Sequence, residues 1–222
     1  MIEILDYTKK PLTKIGEMAS ICYNTKLKDE NHAERIARHC INSGHGRNLE
    51  FGKVTLKITC SARVGRELYT HLGGSPTRLQ ASTRYITYND FNYIIPNGMT
   101  AEQSYEYNMC MKNIRDSYRK LKELNLNNDI TGYILPLAME TTIVWDGNIR
   151  TLENMFNQRL CYRALEEYRE LMKELKSKIS KLDDEWKWIS DKLFVPKCVK
   201  AGYCIENNKN CTLYKNKFYT PK

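Results

Sequence analysis

Residues 53–60, KVTLKITC, alternate apolar and polar positions with a period of two. The apolar positions are Val54, Leu56, Ile58 and Cys60. This alternation predicts a strand with one buried face. Residues 140–145, ETTIVW, predict a second extended segment that ends in a turn at Asp146 and Gly147. Residues 1–6, MIEILD, predict a short strand rather than a signal peptide, since no basic region precedes their apolar positions.

Two segments in the first third of the chain have helical spacing. Residues 29–43 begin with acidic residues, which suit a helix N-terminus. Residues 44–50 then predict a turn that carries polar groups. Residues 62–72 return to helical spacing, so we expect a helix that carries His71 at its end.

Longer helical patterns follow in the second half of the chain. Residues 100–124 predict an amphipathic helix that opens with the capping pattern Thr100-x-x-Gln103. A further helical pattern begins at Asn148, and residues 151–181 predict one or two helices rich in paired charges. Long helices with a few strands, and no regular alternation of strand and helix, predict an α+β fold.

The chain of 222 residues carries 35 Lys and Arg against 26 Asp and Glu, a formal net charge of +9. This length allows one substantial core. The positive charge is consistent with a nucleic acid partner, with anionic small ligands, or with a lysine-rich surface at residues 173–181 and 197–222. No apolar run approaches the roughly 20 residues that cross a membrane, so we expect a cytoplasmic protein without a membrane partner.

The eight cysteines do not have the spacing of a secreted disulfide scaffold. Five are scattered and are expected to be buried thiols: Cys22, Cys40, Cys60, Cys110 and Cys161. Cys198, Cys204 and Cys211 form a C-x5-C-x6-C cluster that lacks the CxxC pair of structural zinc sites. The four histidines have no metal-type spacing either. We therefore assign no metal ligands, and metal binding, redox pairing and simple packing stay open for the three clustered cysteines.

Residues 70–85, THLGGSPTRLQASTRY, combine a glycine pair with hydroxyl, guanidinium and imidazole groups. Gly73 and Gly74 can present successive backbone N–H groups, and such concave arrangements bind phosphate oxygens. The alternative is a plain glycine-rich connector. An extended chain is predicted to resume at Ser82 and Arg84, whose side chains would then share one strand face. A hydroxyl beside a guanidinium suits an oxyanion or the carbonyl edge of a nucleobase.

A second group of polar residues belongs to the helix predicted to begin near Asn148. Spacing of four would place Arg150 with Asn154 on one helix face, and Arg159 with Arg163 as a second pair. Two arginines at this spacing repel each other unless an anion lies nearby. Glutamates that follow them offer salt bridges as the alternative to a bound ligand.

Together these residues resemble the signature of the flavin-dependent thymidylate synthases. That family has an Arg-His-Arg trio, seven residues, and then Ser-x-Arg-Tyr. This chain has THL at 70–72, nine residues, and then STRY at 82–85. The resemblance covers about residues 1–185. It includes further matching positions: His45, Glu50, Arg66, Leu135, Pro136, Asn148, Arg150, Asn154, Arg159, Ala164 and Glu167. Glu67 stands at a family glutamine and Arg163 at a family histidine.

The first half of the signature departs from the family pattern. Thr70 and Leu72 stand where the family has two arginines that contact flavin phosphates, and the loop after them is two residues longer. Our hypothesis is that the N–H groups of Gly73 and Gly74, together with Arg78, take over the role of the missing guanidiniums.

Three further departures concern the nucleotide. Glu67 and Gln80 exchange charge relative to the family's glutamine and glutamate, and Gly132 stands at the family's phosphate-binding arginine. These departures keep open a related flavin- and folate-dependent enzyme that methylates or hydroxymethylates another uridine nucleotide.

The resemblance implies the reductive methylation of dUMP to dTMP. The one-carbon donor would be 5,10-methylenetetrahydrofolate, and the hydride source would be FAD reduced by NADPH. The family fold implies an α+β subunit with a mixed or antiparallel sheet and long helices, assembled as a homotetramer with active sites shared between subunits. No enzyme cysteine attacks the pyrimidine in this family, so none of the eight thiols needs a catalytic role.

The resemblance also implies roles for individual residues. Arg159 is expected to be catalytic, as a fixed cation that stabilises negative charge developing on the uracil ring. The other expected substrate-binding residues are Glu67, Thr70, Gln80, Ala81, Ser82, Thr83 and Arg84. The expected cofactor-binding residues are His45, Arg47, Glu50, Thr70, His71, Leu72, Gly73, Gly74, Arg78, Asn148, Arg150, Asn154 and Arg163.

Residues 1–185 are thus predicted to form the enzyme domain, and residues 186–222 a basic, cysteine-containing extension. A competing interpretation from a different class is a basic nucleic-acid-binding protein without catalysis. It predicts a colourless protein whose oligonucleotide binding depends steeply on salt. A flavin enzyme predicts a yellow protein, so colour alone separates the two.

Overall fold

The computed structural model describes residues 1–208 and 210–211. Residue 209 and residues 212–222, which belong to the predicted extension, lie outside the described residues. The chain divides into two compact units. We name them by sequence: the central unit contains residues 1, 57–70 and 78–144, and the terminal unit contains residues 2–56, 71–77 and the chain from 145 onward.

Four strands form a sheet in the order β1-β2-β4-β3. They are β1 (Ile2–Tyr7), β2 (Lys53–Ser61), β3 (Thr77–Gln80) and β4 (Glu140–Asn148). The Thr8 N–H donates to the Lys53 carbonyl and the Met1 amine to the Thr59 carbonyl, so β1 and β2 run antiparallel. The predicted alternation of β2 is confirmed, since its four apolar positions are buried. The predicted strand at the N-terminus is confirmed as well.

The turn predicted at Asp146 and Gly147 is wrong, because β4 continues through both residues to Asn148. The Asp146 carboxylate accepts a hydrogen bond of 2.8 Å from the Thr55 hydroxyl on the neighbouring strand. Gly147 leaves room for the indole of Trp145, since a Cβ at 147 would lie 2.3 Å from the ring. Here a polar residue and a glycine serve strand packing rather than a turn.

The terminal unit contains most of the helices. They are α1 (Pro11–Cys22), α2 (Glu30–Asn42), α6 (Ile149–Arg159), α7 (Glu166–Ile179), α8 (Asp184–Leu193) and α9 (Lys197–Ala201). Local caps define where three of them begin: the carboxylates of Asp29 and Asp183 and the side-chain oxygen of Asn148 each accept a backbone N–H from the first turn. The predicted helices at 29–43 and from Asn148 are therefore confirmed. Residues 44–50 differ from the predicted turn, since Gly46–Phe51 forms a 3₁₀ helix.

The central unit contains α3 (Ala62–Leu68), α4 (Ala101–Glu123) and the short α5 (Asn128–Thr131). The capping box predicted for α4 is confirmed. The Gln103 N–H donates to the Thr100 hydroxyl at 3.2 Å, and the Thr100 N–H donates to the Gln103 side chain at 2.9 Å. No helix in the described part of the chain is long and apolar enough to cross a membrane.

Helix α3 ends four residues earlier than predicted, at Leu68, so His71 lies in the loop after the helix. Two side chains bond carbonyls of its last turn. The Thr70 hydroxyl donates to the Glu67 carbonyl at 2.7 Å, and the Arg78 guanidinium donates to the Leu68 carbonyl at 3.1 Å. Both bonds satisfy carbonyls that a continuing helix would need.

Candidate functional site

The predicted site residues form two groups, each within one unit. The terminal unit holds His45, Arg47, Glu50, His71, Leu72, Gly73, Gly74, Asn148, Arg150, Asn154, Arg159 and Arg163. The central unit holds Glu67, Thr70, Arg78, Gln80, Ala81, Ser82, Thr83 and Arg84.

The terminal unit contains a cavity of about 770 Å³ beside α6. Four predicted residues line it: Arg150, Asn154, Arg159 and Arg163. The lining also includes residues of the chain beyond α8: Lys197, Cys198, Cys204, Ile205, Glu206, Asn208 and Cys211. The structure thus brings these four predicted residues to one cavity. The C-terminal segment that also lines the cavity was not predicted to belong to the site.

Four thiols line this cavity: Cys161 and the clustered Cys198, Cys204 and Cys211. Within the described residues, none of these four cysteines forms a disulfide bond. Within residues 1–208 and 210–211, no group of three or more His, Cys, Asp or Glu side chains is arranged to hold a metal ion. The role of the cluster stays open between metal binding, redox pairing and packing.

Arg163 lies outside α6, because the helix ends at Arg159 and the chain then turns. The predicted pairing of Arg159 with Arg163 on one helix is therefore wrong. Arg163 instead donates from Nη1 to Oε2 of Glu206 at 2.8 Å, and both side chains are at least half exposed. Such exposed pairs contribute only about 0.2–1 kcal/mol, so a bound anion can replace the carboxylate.

Arg150, at the first turn of α6, is paired with Glu50 of the 3₁₀ helix at 2.6 Å. This contact joins two segments that are both predicted to bind the cofactor. The same 3₁₀ helix carries the exposed Arg47, and His45 immediately precedes it. The His45 imidazole lies 3.5 Å from the hydroxyl of Tyr23.

The loop that contains Gly73 and Gly74 is hydrogen-bonded to the start of α6 through the backbone carbonyls of these two glycines. Asn148 donates from its side-chain amide to the Gly74 carbonyl at 3.0 Å, while its oxygen accepts the Thr151 N–H at 3.0 Å. The Thr151 hydroxyl donates to the Gly73 carbonyl. Gly74 has a φ of +83°, a conformation that favours glycine. One asparagine therefore caps the helix and holds the loop.

His71 is almost completely buried, with 2% of its surface exposed. The Arg159 Nε donates to its Nε2 at 3.0 Å, which brings two predicted site residues into contact. The Arg159 guanidinium carbon lies 5.0 Å from the ring centre of Tyr168, which is fully buried. Tyr168 was not predicted as a site residue, and helical spacing alone indicates only a core position on α7.

In the central unit, Ser82 and Arg84 form a turn and not the predicted strand, since β3 ends at Gln80. The Ser82 hydroxyl accepts the N–H groups of Arg84 at 3.1 Å and of Tyr85 at 3.3 Å. A serine that bonds its own following backbone competes with strand pairing, which explains the difference. The side chains of Ser82 and Arg84 consequently do not share a strand face.

Arg84 is paired with Asp129, a residue that was not predicted to belong to the site. The Nε–Oδ1 distance is 2.7 Å, and both side chains are more than half exposed. The hydrogen bond and charge of Arg84 lower the pKa of the Asp129 carboxyl, and the carboxylate raises the pKa of the guanidinium. Asn128 donates to the Arg84 carbonyl at 3.0 Å and so fixes the same turn.

Other predicted residues of the central unit have structural contacts of their own. Gln80 donates to the Thr141 hydroxyl at 3.2 Å. The Arg78 guanidinium, which bonds the Leu68 carbonyl, also lies 4.8 Å from the ring centre of Tyr69. A Cβ at Gly132 would lie 3.5 Å from the Thr83 carbonyl, so position 132 is adjacent to the Ser82 turn.

The sequence matches a known family over most of its length. The family model described as "Thymidylate synthase complementing protein" matches residues 3–183. The flavin-dependent thymidylate synthase of Pyrococcus furiosus is 29% identical over 221 residues, covering 93% of this chain and 90% of the relative. That of Thermococcus kodakarensis is 30% identical over 219 residues, covering 92% and 89%. The chain belongs to this family, which confirms the resemblance.

Solved structures of the same fold include ThyX, the flavin-dependent thymidylate synthase from Helicobacter pylori, complexed with FAD and dUMP. It has a TM-score of 0.69 and 19% identity, and the match covers 86% of this chain and 98% of that one. The UMP/dUMP methylase PolB from Streptomyces cacaoi, bound with 5-Br dUMP, also has a TM-score of 0.69, with 14% identity and coverage of 85% and 93%. These similarities define the fold.

Proposed function

We propose that this chain is an FAD-dependent thymidylate synthase that converts dUMP to dTMP. The one-carbon donor is 5,10-methylenetetrahydrofolate, and NADPH is the reductant. The observation that carries the proposal is the cavity of the terminal unit, where Arg150, Arg159 and Arg163 meet in a chain of this family. Every substrate of this reaction is an anion, so the net charge of +9 favours their association with the protein.

The residues of this cavity fit FAD. Its volume of about 770 Å³ lies within the range of small-molecule sites, roughly 300–1,000 Å³. Four basic side chains line it against two carboxylates, Glu153 and Glu206, which suits a diphosphate. Arg150, Asn154 and Arg163 would hold the cofactor there. His45, Arg47, Glu50 and the loop at residues 71–74, with Thr70 and Arg78, are proposed to complete its binding. When bound, FAD reduced by NADPH supplies the hydride that completes the methyl group.

Arg159 is proposed to polarise the uracil ring. A guanidinium is charged at every accessible pH, and its hydrogen bond to His71 fixes it before substrate arrives. A preorganised cation stabilises the negative charge that develops on the ring during methylation, with no reorganisation at the moment of reaction. The protein's thiols need take no part in this step.

The turn at Ser82 is proposed to bind the nucleotide. Arg84 offers guanidinium N–H donors to an oxyanion, and residues 80–84 offer backbone N–H groups. Glu67 and Thr70 would complete this set at the end of α3. Asp129 bonds Arg84 in the structure, so a nucleotide that uses the same donors has to share or displace that carboxylate. The homotetramer with shared sites and the domain boundary at residue 185 are proposed on the family resemblance alone, and the cytoplasmic location stays an expectation.

The first test is the product of the purified protein. We expect a yellow preparation that, supplied with dUMP, methylenetetrahydrofolate and NADPH, yields a nucleotide with the mass of dTMP. UMP in place of dUMP, and omission of the folate, serve as controls. A hydroxymethyl product or a preference for UMP would replace the proposed reaction with a related one. A colourless protein that takes up no FAD would contradict the flavin enzyme altogether.

Glu206→Gln is expected to tighten FAD binding about two- to fivefold. The carboxylate of Glu206 occupies the Arg163 guanidinium and opposes any anion that approaches it. The affinity is measured by fluorescence titration of the cofactor-free protein. Glu170→Gln is the matched control, because Glu170 makes the same kind of salt bridge on α7 with nearly the same exposure, 51% against 50%. Equal affinity of the two variants would remove Arg163 and Glu206 from the cofactor site.

A further inference from the structure

Three side chains of the terminal unit converge at the end of α6. Arg159 donates through Nε to His71 Nε2 at 3.0 Å, and its guanidinium carbon lies 5.0 Å from the ring centre of Tyr168. The rings of His71 and Tyr168 are in edge contact, with centres 6.1 Å apart and planes at 83°. Each of the three groups thus touches the other two.

The bond between Arg159 and His71 sets the state of the imidazole. An arginine donates and cannot accept, so Nε2 of His71 has to present a lone pair. The neutral ring is therefore protonated on Nδ1. A second cation at His71 would face the guanidinium at hydrogen-bond distance, so this arrangement requires the uncharged ring.

Tyr168 supplies the second contact. A guanidinium at this distance from an aromatic ring is attracted by the negative face of the ring, and more strongly where water is excluded. Tyr168 has no exposed surface, so the ring is held rigidly by the core. An aliphatic residue at 168 would remove one of the contacts that fix the flexible arginine, and the guanidinium would sample more orientations.

We propose that Tyr168 is a positioning residue for Arg159, which it holds together with His71 in the orientation that acts on the uracil ring. Tyr168 acts through Arg159 and does not itself touch the substrate. This inference rests on the proposed function, because it assigns Tyr168 to the step in which Arg159 stabilises charge. The aromatic ring is the essential part, and the hydroxyl is not.

The test compares Tyr168→Phe with Tyr168→Leu. Tyr168→Phe keeps the ring and is expected to retain kcat within about twofold. Tyr168→Leu is expected to lower kcat about 5- to 30-fold, as the loss of a desolvated cation–π contact predicts. Reduction of bound FAD by NADPH is expected to stay unchanged. The dissociation constant for dUMP, measured calorimetrically on the cofactor-free protein, is expected to rise for Tyr168→Leu alone.

A second comparison separates positioning from a general packing role. In the Arg159→Ala background, Tyr168→Leu is expected to cause no further loss of kcat or of dUMP affinity, because the residue through which it acts is absent. An equal loss in both backgrounds would overturn the proposal, as would unchanged behaviour of Tyr168→Leu or an equal defect of Tyr168→Phe. A parent protein that forms no dTMP would instead refute the proposed function, a result visible before any variant is made.

Discussion

Arg159→Ala is expected to lower kcat for dTMP formation by about 10²- to 10³-fold, the usual cost of removing one preorganised charge-stabilising group. In the proposed reaction, Arg159 is the fixed cation beside the uracil ring. Reduction of FAD by NADPH does not require that cation and is expected to continue. The measurement is single-turnover dTMP formation beside the rate of flavin bleaching under NADPH. In this variant dTMP formation should slow while flavin bleaching continues at the rate of the parent.

Two further variants sharpen this prediction. Arg159→Lys keeps the charge but loses the Nε donor that bonds His71, so its kcat should fall between those of the parent and the alanine variant. Arg119→Ala removes another arginine with ion-pair partners, Asp90 and Asp116, in the central unit and should leave kcat unchanged. If Arg159→Ala retained kcat within threefold, Arg159 would have no part in charge stabilisation.

The elements that the sequence predicts well are those fixed by neighbours along the chain. The capping box of α4 lies within four residues, and the alternation of residues 53–60 in β2 needs only those eight positions. Asp146 shows the limit of such local signals. An Asp-Gly pair favours a turn in isolation, but the Thr55 hydroxyl 91 residues away holds it in a strand.

The candidate site was predicted unevenly for the same reason. The family resemblance names Arg159 and Asn148 as expected site residues, while the contacts of the predicted residues depend on tertiary structure. Asp129 lies 45 residues from Arg84, and Glu206 lies 43 residues from Arg163. A salt-bridge partner at such separation leaves no periodic trace in the sequence. The contact of Tyr168 with Arg159 cannot be predicted from the sequence either, since its position on α7 is that of an ordinary core residue.

Substitution in the glycine pair, which stands in the altered part of the family signature, is expected to affect both stability and FAD binding. Gly74→Ala is expected to lower the melting temperature by about 5–10 °C and to weaken FAD binding at least tenfold. A side chain at a φ of +83° is strained by about 1–2 kcal/mol. The new Cβ would also lie 2.4 Å from the Thr151 hydroxyl and 2.8 Å from the Asn148 side-chain oxygen. If the side chains of Asn148 and Thr151 moved away from the new Cβ, the cap of α6 would be lost, which would lower the free energy of unfolding by about 1 kcal/mol more.

Gly73→Ala is the matched control, one residue earlier in the same loop. A Cβ at Gly73 meets no heavy atom within 4 Å, and its φ lies outside the left-handed region. This variant keeps its backbone N–H, so it should match the parent in melting temperature and FAD affinity. Fluorescence titration of both variants decides the matter. If Gly74→Ala melted at a lower temperature yet bound FAD as tightly as Gly73→Ala, the loop would stabilise α6 without serving the cofactor. The missing cations at Thr70 and Leu72 would then need a replacement elsewhere.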